Sequence, residues 1–224
     1  MRLHAVCYYR SRSDAWTEAW RDADWTAMKL VKAVKRKPFG GFATHNALGR
    51  IFRFDSTPAG QATALNFAAQ RLAALIAQGG YAQTAVIPIP SSDHTNPATD
   101  FTGARLARAI QAVNPAFLAK PVLYFAKAIP KSSEGGGRDS QLVEQTLRAT
   151  ADLATIGSAV LLDDVYTTGA HMRGTYRFLS ANGVEVEDVF AVGRTKWDKP
   201  SSMFKVETEE VHCDGGNLSW PADL

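Results

Sequence analysis

Short apolar runs and longer amphipathic stretches alternate through the second half of this 224-residue sequence. The apolar runs have the length of buried strands, and the stretches between them carry apolar residues at helical spacing. Strands alternating with helices of this length are typical of a parallel sheet covered by helices on both faces. The sequence therefore predicts an α/β fold, in which ligands bind beyond the carboxyl ends of the strands. The predicted strands are residues 84–89, 121–128, 158–162 and 186–193, and the predicted helices are 99–113, 138–150 and 170–181.

The N-terminal part has a different pattern. A short strand is predicted at residues 4–9 and a helix at 14–37, where Asp24 is available as an N-cap should this helix divide into two. A second helix is predicted at 58–78, and 42–54 is ambiguous. We therefore predict an N-terminal helical region packed on a core, the core itself, and a C-terminal strand with a tail. The boundaries of these three regions are 1–80, 81–200 and 201–224.

Composition excludes several classes of protein. Hydrophobic residues make up 46% and charged residues 21%, as in ordinary globular proteins. We expect no membrane association, because no apolar stretch is long enough to span a bilayer and the first residues lack the pattern of a signal peptide. Cys7 and Cys213 have no metal-ligand spacing, so we expect reduced thiols and a cytoplasmic protein. The net charge of +3 is too small on its own to indicate nucleic-acid binding.

Positive charge is concentrated between Asp24 and Asp55, a stretch without an acidic residue. Its lysines and arginines are Lys29, Lys32, Lys35, Arg36, Lys37, Arg50 and Arg53. The first four recur at helical spacing, which favours the solvated face of an amphipathic helix. A patch for nucleic acid or a phosphorylated partner is the less favoured alternative, since no nucleic-acid recognition motif accompanies the charges.

The site prediction comes from one uninterrupted segment. The apolar run 160–162 ends at two adjacent carboxylates, Asp163 and Asp164, and a Thr-Thr-Gly turn at 167–169 follows just before a predicted helix. Two carboxylates can accept hydrogen bonds from neighbouring sugar hydroxyls, and a turn into a helix N-terminus offers N–H groups to an anion. The pattern therefore predicts a site for a phosphorylated sugar. The alternative is a structural turn in which Asp164 or a threonine caps the helix and no ligand binds.

This segment resembles the phosphoribosyl pyrophosphate (PRPP) motif of type I phosphoribosyltransferases: an apolar strand, two acids, two intervening residues and Thr-Thr-Gly. The resemblance implies the Rossmann-like fold of that family, a parallel-sheet core with a small N-terminal hood-like region. It also implies that Asp163 and Asp164 are the catalytic carboxylates and hold the ribose hydroxyls. The residues implied to contact the ribose and its 5′-phosphate are Asp163, Asp164, Val165, Tyr166, Thr167, Thr168, Gly169, Ala170 and His171.

Two further segments match the family's template. The first is a loop after an early strand, which in the family holds pyrophosphate through backbone N–H groups. Its residues here are Pro90, Ser91 and Ser92. The second is a glycine-rich segment where the family carries a mobile loop that closes over the sugar. Its residues here are Lys131, Ser132 and Arg138. Without the resemblance, the two segments also fit a polar loop after a strand and an exposed connector.

Within this superfamily the spacing from 87 to 194 is most similar to the ComF-like branch. Residues 101–108 echo that branch's helix after the pyrophosphate loop, and 138–141 echo its Arg-and-Gln region. Nothing in the sequence can form the cysteine-rich zinc module with which many such proteins begin. The arginines usual after the pyrophosphate loop are missing from 91–100. In their place stand Asp93, His94 and Asp100.

The resemblance implies that a nitrogenous base displaces pyrophosphate from C1 of PRPP, with Mg²⁺ as the cofactor. The ion would be held by PRPP and by water near Asp163 and Asp164, without a cage of protein ligands. Tyr166 and His171 are candidates for a general base, although a surface position is the favoured interpretation of His171. The alternative function is a non-catalytic module that senses PRPP or a nucleotide in the same pocket, in regulation or nucleic-acid handling.

The acceptor base and the assembly are left open by the sequence. Candidate regions for binding the base are the N-terminal segment, residues 42–54 and residues 193–197, which include Trp197. The expected small-molecule partners are PRPP and a nucleobase-like acceptor. A homodimer is compatible with the sequence, and nucleic acid is disfavoured as a partner.

Overall fold

The structure is a computed structural model that describes residues 1–10, 18–130 and 139–213. These residues form one six-stranded sheet, two small two-stranded sheets and five α-helices. No α-helix in these ranges combines the length and the apolar character needed to cross a membrane. The strands are β1 (Arg2–Tyr9), β2 (Phe42–Ala47), β3 (Arg50–Asp55), β4 (Thr84–Pro88), β5 (Phe117–Ala119), β6 (Leu123–Phe125), β7 (Leu147–Ala149), β8 (Ser158–Tyr166), β9 (Glu185–Thr195) and β10 (Glu209–Glu210). The helices are α1 (Asp22–Val34), α2 (Pro58–Gln78), α3 (Thr102–Val113), α4 (Ser140–Thr146) and α5 (Ala170–Ala181).

The central sheet has the strand order β10-β1-β9-β8-β4-β5. Its strands run parallel except for β10, which is antiparallel to β1. Strand β8 therefore lies inside the sheet, with β4 on one side and β9, then β1, on the other. Residues 159–162 of β8 are all fully buried, as expected for a strand covered on both faces. The predicted α/β fold with a mostly parallel sheet is confirmed.

Helices cover both faces of the central sheet. One apolar cluster combines residues of α1, α2 and α3 with Val160 and Leu162 of β8. The other combines residues of α4 and α5 with Ala159 and Leu161. This division follows from strand geometry, because successive side chains of a strand point to opposite faces. The continuous apolar run before the acid pair thus contributes residues to the apolar cluster on each face of the sheet.

Several predicted boundaries are confirmed and others are wrong. Helices α2 and α5 match the predicted ranges 58–78 and 170–181. The strand predicted at 121–128 is reduced to β6, which pairs with β7 outside the central sheet. The edge of the central sheet is formed instead by β5, whose three residues are too short to show a pattern. The helix predicted at 138–150 ends at Thr146, because the chain from Leu147 pairs with β6.

The N-terminal helix begins later than predicted. Part of the predicted range, 11–17, lies outside the described residues. The N-cap of α1 is Arg21 rather than Asp24, which lies three residues into the turn. The Asp24 carboxylate accepts a hydrogen bond from the Arg21 backbone N–H at 2.7 Å and pairs with its guanidinium at 2.8 Å. This reciprocal capping fixes where α1 begins. The ambiguous stretch 42–54 forms the antiparallel hairpin of β2 and β3.

Strand β1, which we predicted within the N-terminal region, lies in the central sheet between β9 and β10. Its start is held by Asp188, which is 2% exposed. The Asp188 carboxylate accepts hydrogen bonds from Arg2 and from the Tyr81 hydroxyl, each at 2.7 Å, and lies 3.3 Å from His4 Nε2. These contacts set the register of β1, whose last residue, Tyr9, consequently reaches the carboxyl edge of the sheet. The division into three regions stays a prediction.

Candidate functional site

A cleft of about 420 Å³ opens at the carboxyl edge of the central sheet. Three parts of the chain line it: the turn from β8 into α5, the loop after β4 with the start of α3, and an N-terminal wall. The N-terminal wall consists of Tyr9, Lys35 and Lys37. A cleft at this edge is where open parallel sheets bind their ligands.

The two acids lie inside β8 and not after it, contrary to our prediction. Pairing with β9 continues through Tyr166, so that Asp163 lies opposite Ala191 and Val165 opposite Gly193. Both carboxylates nevertheless line the cleft. Sheet hydrogen bonds to β9 hold the backbone both before and after Asp163 and Asp164 in the sequence. The two acids are therefore positioned more rigidly than loop residues would be.

The two carboxylates differ in their electrostatic surroundings. Asp164 Oδ1 accepts a hydrogen bond from Lys35 Nζ at 2.8 Å. Burial raises the pKa of Asp163 to about 7, and the neighbouring charge of Asp164 acts in the same direction. Burial would lower the pKa of Lys35, but the attraction of Asp164 outweighs it and holds the pKa above its ordinary value. The site thus has one carboxylate in an ion pair and one that titrates near neutral pH.

The turn from β8 into α5 presents backbone donors to the cleft. Gly169 has a φ of +75°, and a Cβ at this position would lie 2.3 Å from the Tyr166 hydroxyl, so both conformation and space require glycine. Within the described residues, the N–H groups of 168–172 donate to no acceptor. We call residues 167–172 the α5 amide cup. Free N–H groups at a helix N-terminus are suited to binding an anion.

The loop after β4 forms a second set of donors. The carbonyl groups of Ser91 and Ser92 accept hydrogen bonds from backbone N–H groups further along the chain, at 2.8 and 2.9 Å. In the described part of the chain, the N–H groups of 91–93 have no acceptor. Thr102 and Gly103, the first residues of α3, also line the cleft. We call residues 90–93 together with 102–103 the β4 amide cup, and it too can hold an anion.

His171 and Tyr166, the candidate bases, occupy different positions. His171 lines the cleft, and its Nε2 atom is buried without a hydrogen-bond partner among the described residues. Burial lowers the pKa of His171, so its ring is neutral at pH 7. The surface position favoured for His171 is therefore wrong. Tyr166 is 3% exposed and does not line the cleft. Its ring lies 4.9 Å below the guanidinium of Arg194, which donates to the Thr167 carbonyl and supports the turn.

The other predicted site residues divide into three groups. Thr168 is not among the residues that line the cleft, and its carbonyl accepts a hydrogen bond from Arg173 at 3.2 Å. Neither 42–54 nor 193–197 lines the cleft. The residues that do line it are Pro90, Ser91, Ser92, Val165, Thr167, Gly169 and Ala170. The residues that lie outside the described ranges are Lys131, Ser132 and Arg138.

The N-terminal wall was missed by sequence reasoning. The solvated-face interpretation is wrong for Lys35, whose side chain is only 25% exposed and pairs with Asp164. Tyr9 is predicted to end a strand, but no pattern indicated that this strand joins the central sheet. Burial raises the pKa of Tyr9. The signal that was available is the acid-free basic run, which continues beyond the last residue of α1, Val34, to Lys37.

The end of α1 directs two lysines into the cleft. Arg36 has a φ of +55°, a left-handed conformation that is uncommon outside glycine. Its N–H donates to the Ala33 carbonyl at 3.0 Å, and the N–H of Lys37 donates to the Lys32 carbonyl at 2.8 Å. These two bonds form the Schellman arrangement that ends many helices. The reversal places Lys37 beside Lys35 in the wall.

Asp163 and Asp164 are the carboxylates of the cleft that could contact a divalent metal ion. Among the described residues, no three His, Cys, Asp or Glu side chains are grouped to hold a metal. Mg²⁺ commonly binds through one or two carboxylates, substrate phosphates and water. Asp163 and Asp164, adjacent at the cleft, match that requirement.

Comparison with known proteins gives a likeness of fold only. No protein-family model and no curated protein matches the sequence. Among solved structures, a crystal structure of adenine phosphoribosyltransferase has a TM-score of 0.39 at 14% identity, covering 74% of this chain and 89% of that one. Adenine phosphoribosyltransferase from Rhodothermus marinus DSM 4252 has a TM-score of 0.39 at 18% identity, covering 74% of this chain and 96% of that one. At this level of structural similarity and sequence identity, the function has to be inferred from the residues of the cleft.

Proposed function

We propose that this protein is a phosphoribosyltransferase. It would bind PRPP with Mg²⁺ and transfer the 5-phosphoribosyl group to a nitrogenous base, with release of pyrophosphate. The observation that supports this most strongly is the acid pair of β8 in one cleft with two amide cups. A sugar with a phosphate on one side and a pyrophosphate on the other requires that combination of acceptors and donors. The finer placement in a ComF-like branch stays a prediction.

Each part of the cleft has a role in this proposal. Asp163 and Asp164 accept hydrogen bonds from the ribose hydroxyls, and the α5 amide cup holds the 5′-phosphate. The β4 amide cup holds the pyrophosphate through its backbone N–H groups. The unpartnered Nε2 of His171 gains a hydrogen bond from the bound phosphosugar, which removes the cost of leaving it buried and unpaired.

Magnesium would be held by PRPP oxygens, with Asp163 and Asp164 contacting it directly or through water. When bound, it neutralises the charge that grows on the departing pyrophosphate.

The chain's own residues account for the rest of the reaction. The C1–O bond to pyrophosphate breaks, the acceptor nitrogen bonds to C1, and the proton of that nitrogen leaves to water. Positive charge develops on the ribose ring as the bond breaks, and the nearby carboxylates stabilise it. The amide cups keep the two ends of the sugar fixed during the displacement, which lowers the entropic part of the barrier.

Calorimetric titration with PRPP and Mg²⁺, followed by an assay of pyrophosphate release across a panel of bases, tests the proposal. We expect saturable binding of PRPP, weaker binding of ribose 5-phosphate, and release that depends on one base. Asp164→Asn should reduce PRPP affinity by about tenfold, since it removes a charged acceptor. Binding without base-dependent release would instead support the PRPP sensor. Absence of PRPP binding would contradict the proposal.

A further inference from the structure

We infer that the acceptor carries a negative charge, as in a nitrogen heterocycle with a ring carboxylate. This inference rests on the proposed function and adds a substrate class to it. It comes from the charge and position of the N-terminal wall, which the phosphosugar does not require.

The strand order shows on which side of the sugar the acceptor binds. Strand β8 carries the acid pair and lies between β4 and β9, and β1 lies beyond β9. The β4 amide cup, proposed to hold pyrophosphate, is therefore on one side of the acids. In an in-line displacement, the nucleophile attacks C1 from the side opposite to the leaving group. The acceptor thus belongs on the side of β9 and β1, where β1 ends at Tyr9 of the N-terminal wall.

That side of the cleft is cationic. Lys35 and Lys37 both line it, and the chain from residue 25 to 54 contains no acidic side chain that could neutralise them locally. The Lys37 ammonium forms no ion pair within the described residues. Helix α1, which carries Lys35 at its end, packs against β1, β8 and β9. The left-handed Arg36, which follows α1, lies between the two lysines and reverses the chain there.

Substrate binding changes the partner of Lys35. Without substrate, Lys35 pairs with Asp164 at 2.8 Å. The ribose hydroxyls and Mg²⁺ compete for that carboxylate, and a lysine whose side chain is only 25% exposed then loses its counter-charge. A partly buried cation without a partner is unfavourable. An acceptor carboxylate between Lys35 and Lys37 restores the lost interaction, whereas a neutral base does not.

Matched pairs of acceptors test the inference with the full-length protein. Orotate and uracil differ by a ring carboxylate, and nicotinate and nicotinamide differ by the charge of one substituent. Adenine serves as a neutral purine. With PRPP and Mg²⁺ saturating, we expect kcat/KM for the anionic member of at least one pair to exceed that of its neutral counterpart by about tenfold or more, corresponding to roughly 1.4 kcal/mol.

The variant Lys37→Gln sharpens this test. It should raise KM for the preferred anionic acceptor by about tenfold and leave KM for PRPP within about twofold. Lys32→Gln is the matched control, because it removes an equal charge nearby, from the last turn of α1, at a residue that does not line the cleft. The control should change neither constant by more than about twofold.

The outcomes separate this inference from the proposed function. If PRPP binds and neutral bases react as well as their anionic counterparts, the inference is wrong and the function stands. If Lys37→Gln raises KM for PRPP and for the acceptor equally, the lysines serve pyrophosphate and the inference is also wrong. If PRPP does not bind, calorimetry shows this before any acceptor is added, and both proposals fall.

Discussion

The two sides of the cleft are built from different chemistry. The α5 and β4 amide cups consist of backbone N–H groups at strand ends and helix starts, and the central sheet fixes them. The N-terminal wall consists of side chains, two of which, Lys35 and Lys37, come from the segment directly after helix α1. A site built from backbone N–H groups depends on the conformation of the chain. A site built from side chains depends on their charge and length. The first is suited to the invariant phosphates of a substrate, and the second to a part that differs between substrates.

The largest difference should come from changing a backbone conformation. We expect Gly169→Ala to weaken PRPP binding by about 100-fold, since the added Cβ would lie 2.3 Å from the Tyr166 hydroxyl and force the α5 amide cup to move. Gly183→Ala is the matched control: its φ of +80° imposes the same strain, but its Cβ would meet nothing within 4 Å. Calorimetry with PRPP should separate the two variants. Gly183→Ala should lose about 1–2 kcal/mol of stability from the left-handed conformation, and Gly169→Ala at least as much because of its contact with Tyr166. Equal affinities would show that the cup does not hold the phosphate.

The same contrast explains what could be predicted from the sequence. The α5 amide cup follows local rules, because a buried strand, Thr-Thr-Gly and a helix are contiguous, and α5 begins where predicted at Ala170. The N-terminal wall depends on a contact between Lys35 and Asp164, which are 129 residues apart in the sequence. The helical periodicity of this region does not indicate which of its lysines pairs with an acid. The position of β1 in the sheet could not be predicted either, because the sequence pattern of a strand does not indicate which strands it pairs with.

The acid pair between the two sides should make binding depend on pH. Burial raises the pKa of Asp163 to about 7, above its ordinary value of 3.8. We expect PRPP–Mg²⁺ to bind the ionised form, so that affinity increases about tenfold from pH 6 to pH 8 with release of a proton. Titration in buffers of different ionisation enthalpy measures that proton. In Asp163→Asn the contribution of the carboxylate should be lost, which leaves only the pH dependence of the PRPP phosphate groups, whose second pKa is about 6. A parent protein with the same pH profile as Asp163→Asn would contradict the assignment.

Stability should change with pH in the opposite sense. Because the pKa of Asp163 is raised in the folded state, its contribution to stability is fully present below about pH 4 and is lost as the pH rises through 7. Urea unfolding should therefore show Asp163→Asn gaining stability relative to the parent at pH 8 and losing that advantage progressively as the pH falls to about 4. An advantage that is independent of pH would indicate that Asp163 is not the titrating group.

The ion pair that connects the two sides should have a moderate energy. A double-mutant cycle of Lys35→Gln and Asp164→Asn should give a coupling of about 1–2 kcal/mol by urea unfolding, because both side chains are at most one quarter exposed. The pair of Arg108 and Asp100, whose side chains are 56% and 44% exposed, is the matched control and should give about 0–0.5 kcal/mol. Similar couplings for the two pairs would mean that the wall is not electrostatically linked to the acids.

The smallest effects should come from side chains of a backbone site. Ser91→Ala and Ser92→Ala keep the N–H groups of the β4 amide cup, and neither hydroxyl donates to another group in the described residues. We expect each variant to change PRPP affinity by less than about threefold, which is under the roughly 1 kcal/mol of an ordinary neutral hydrogen bond. Calorimetry at fixed Mg²⁺ measures this. A loss above tenfold would mean that the hydroxyls bind pyrophosphate, and the contrast between a backbone-built and a side-chain-built half of the cleft would no longer hold.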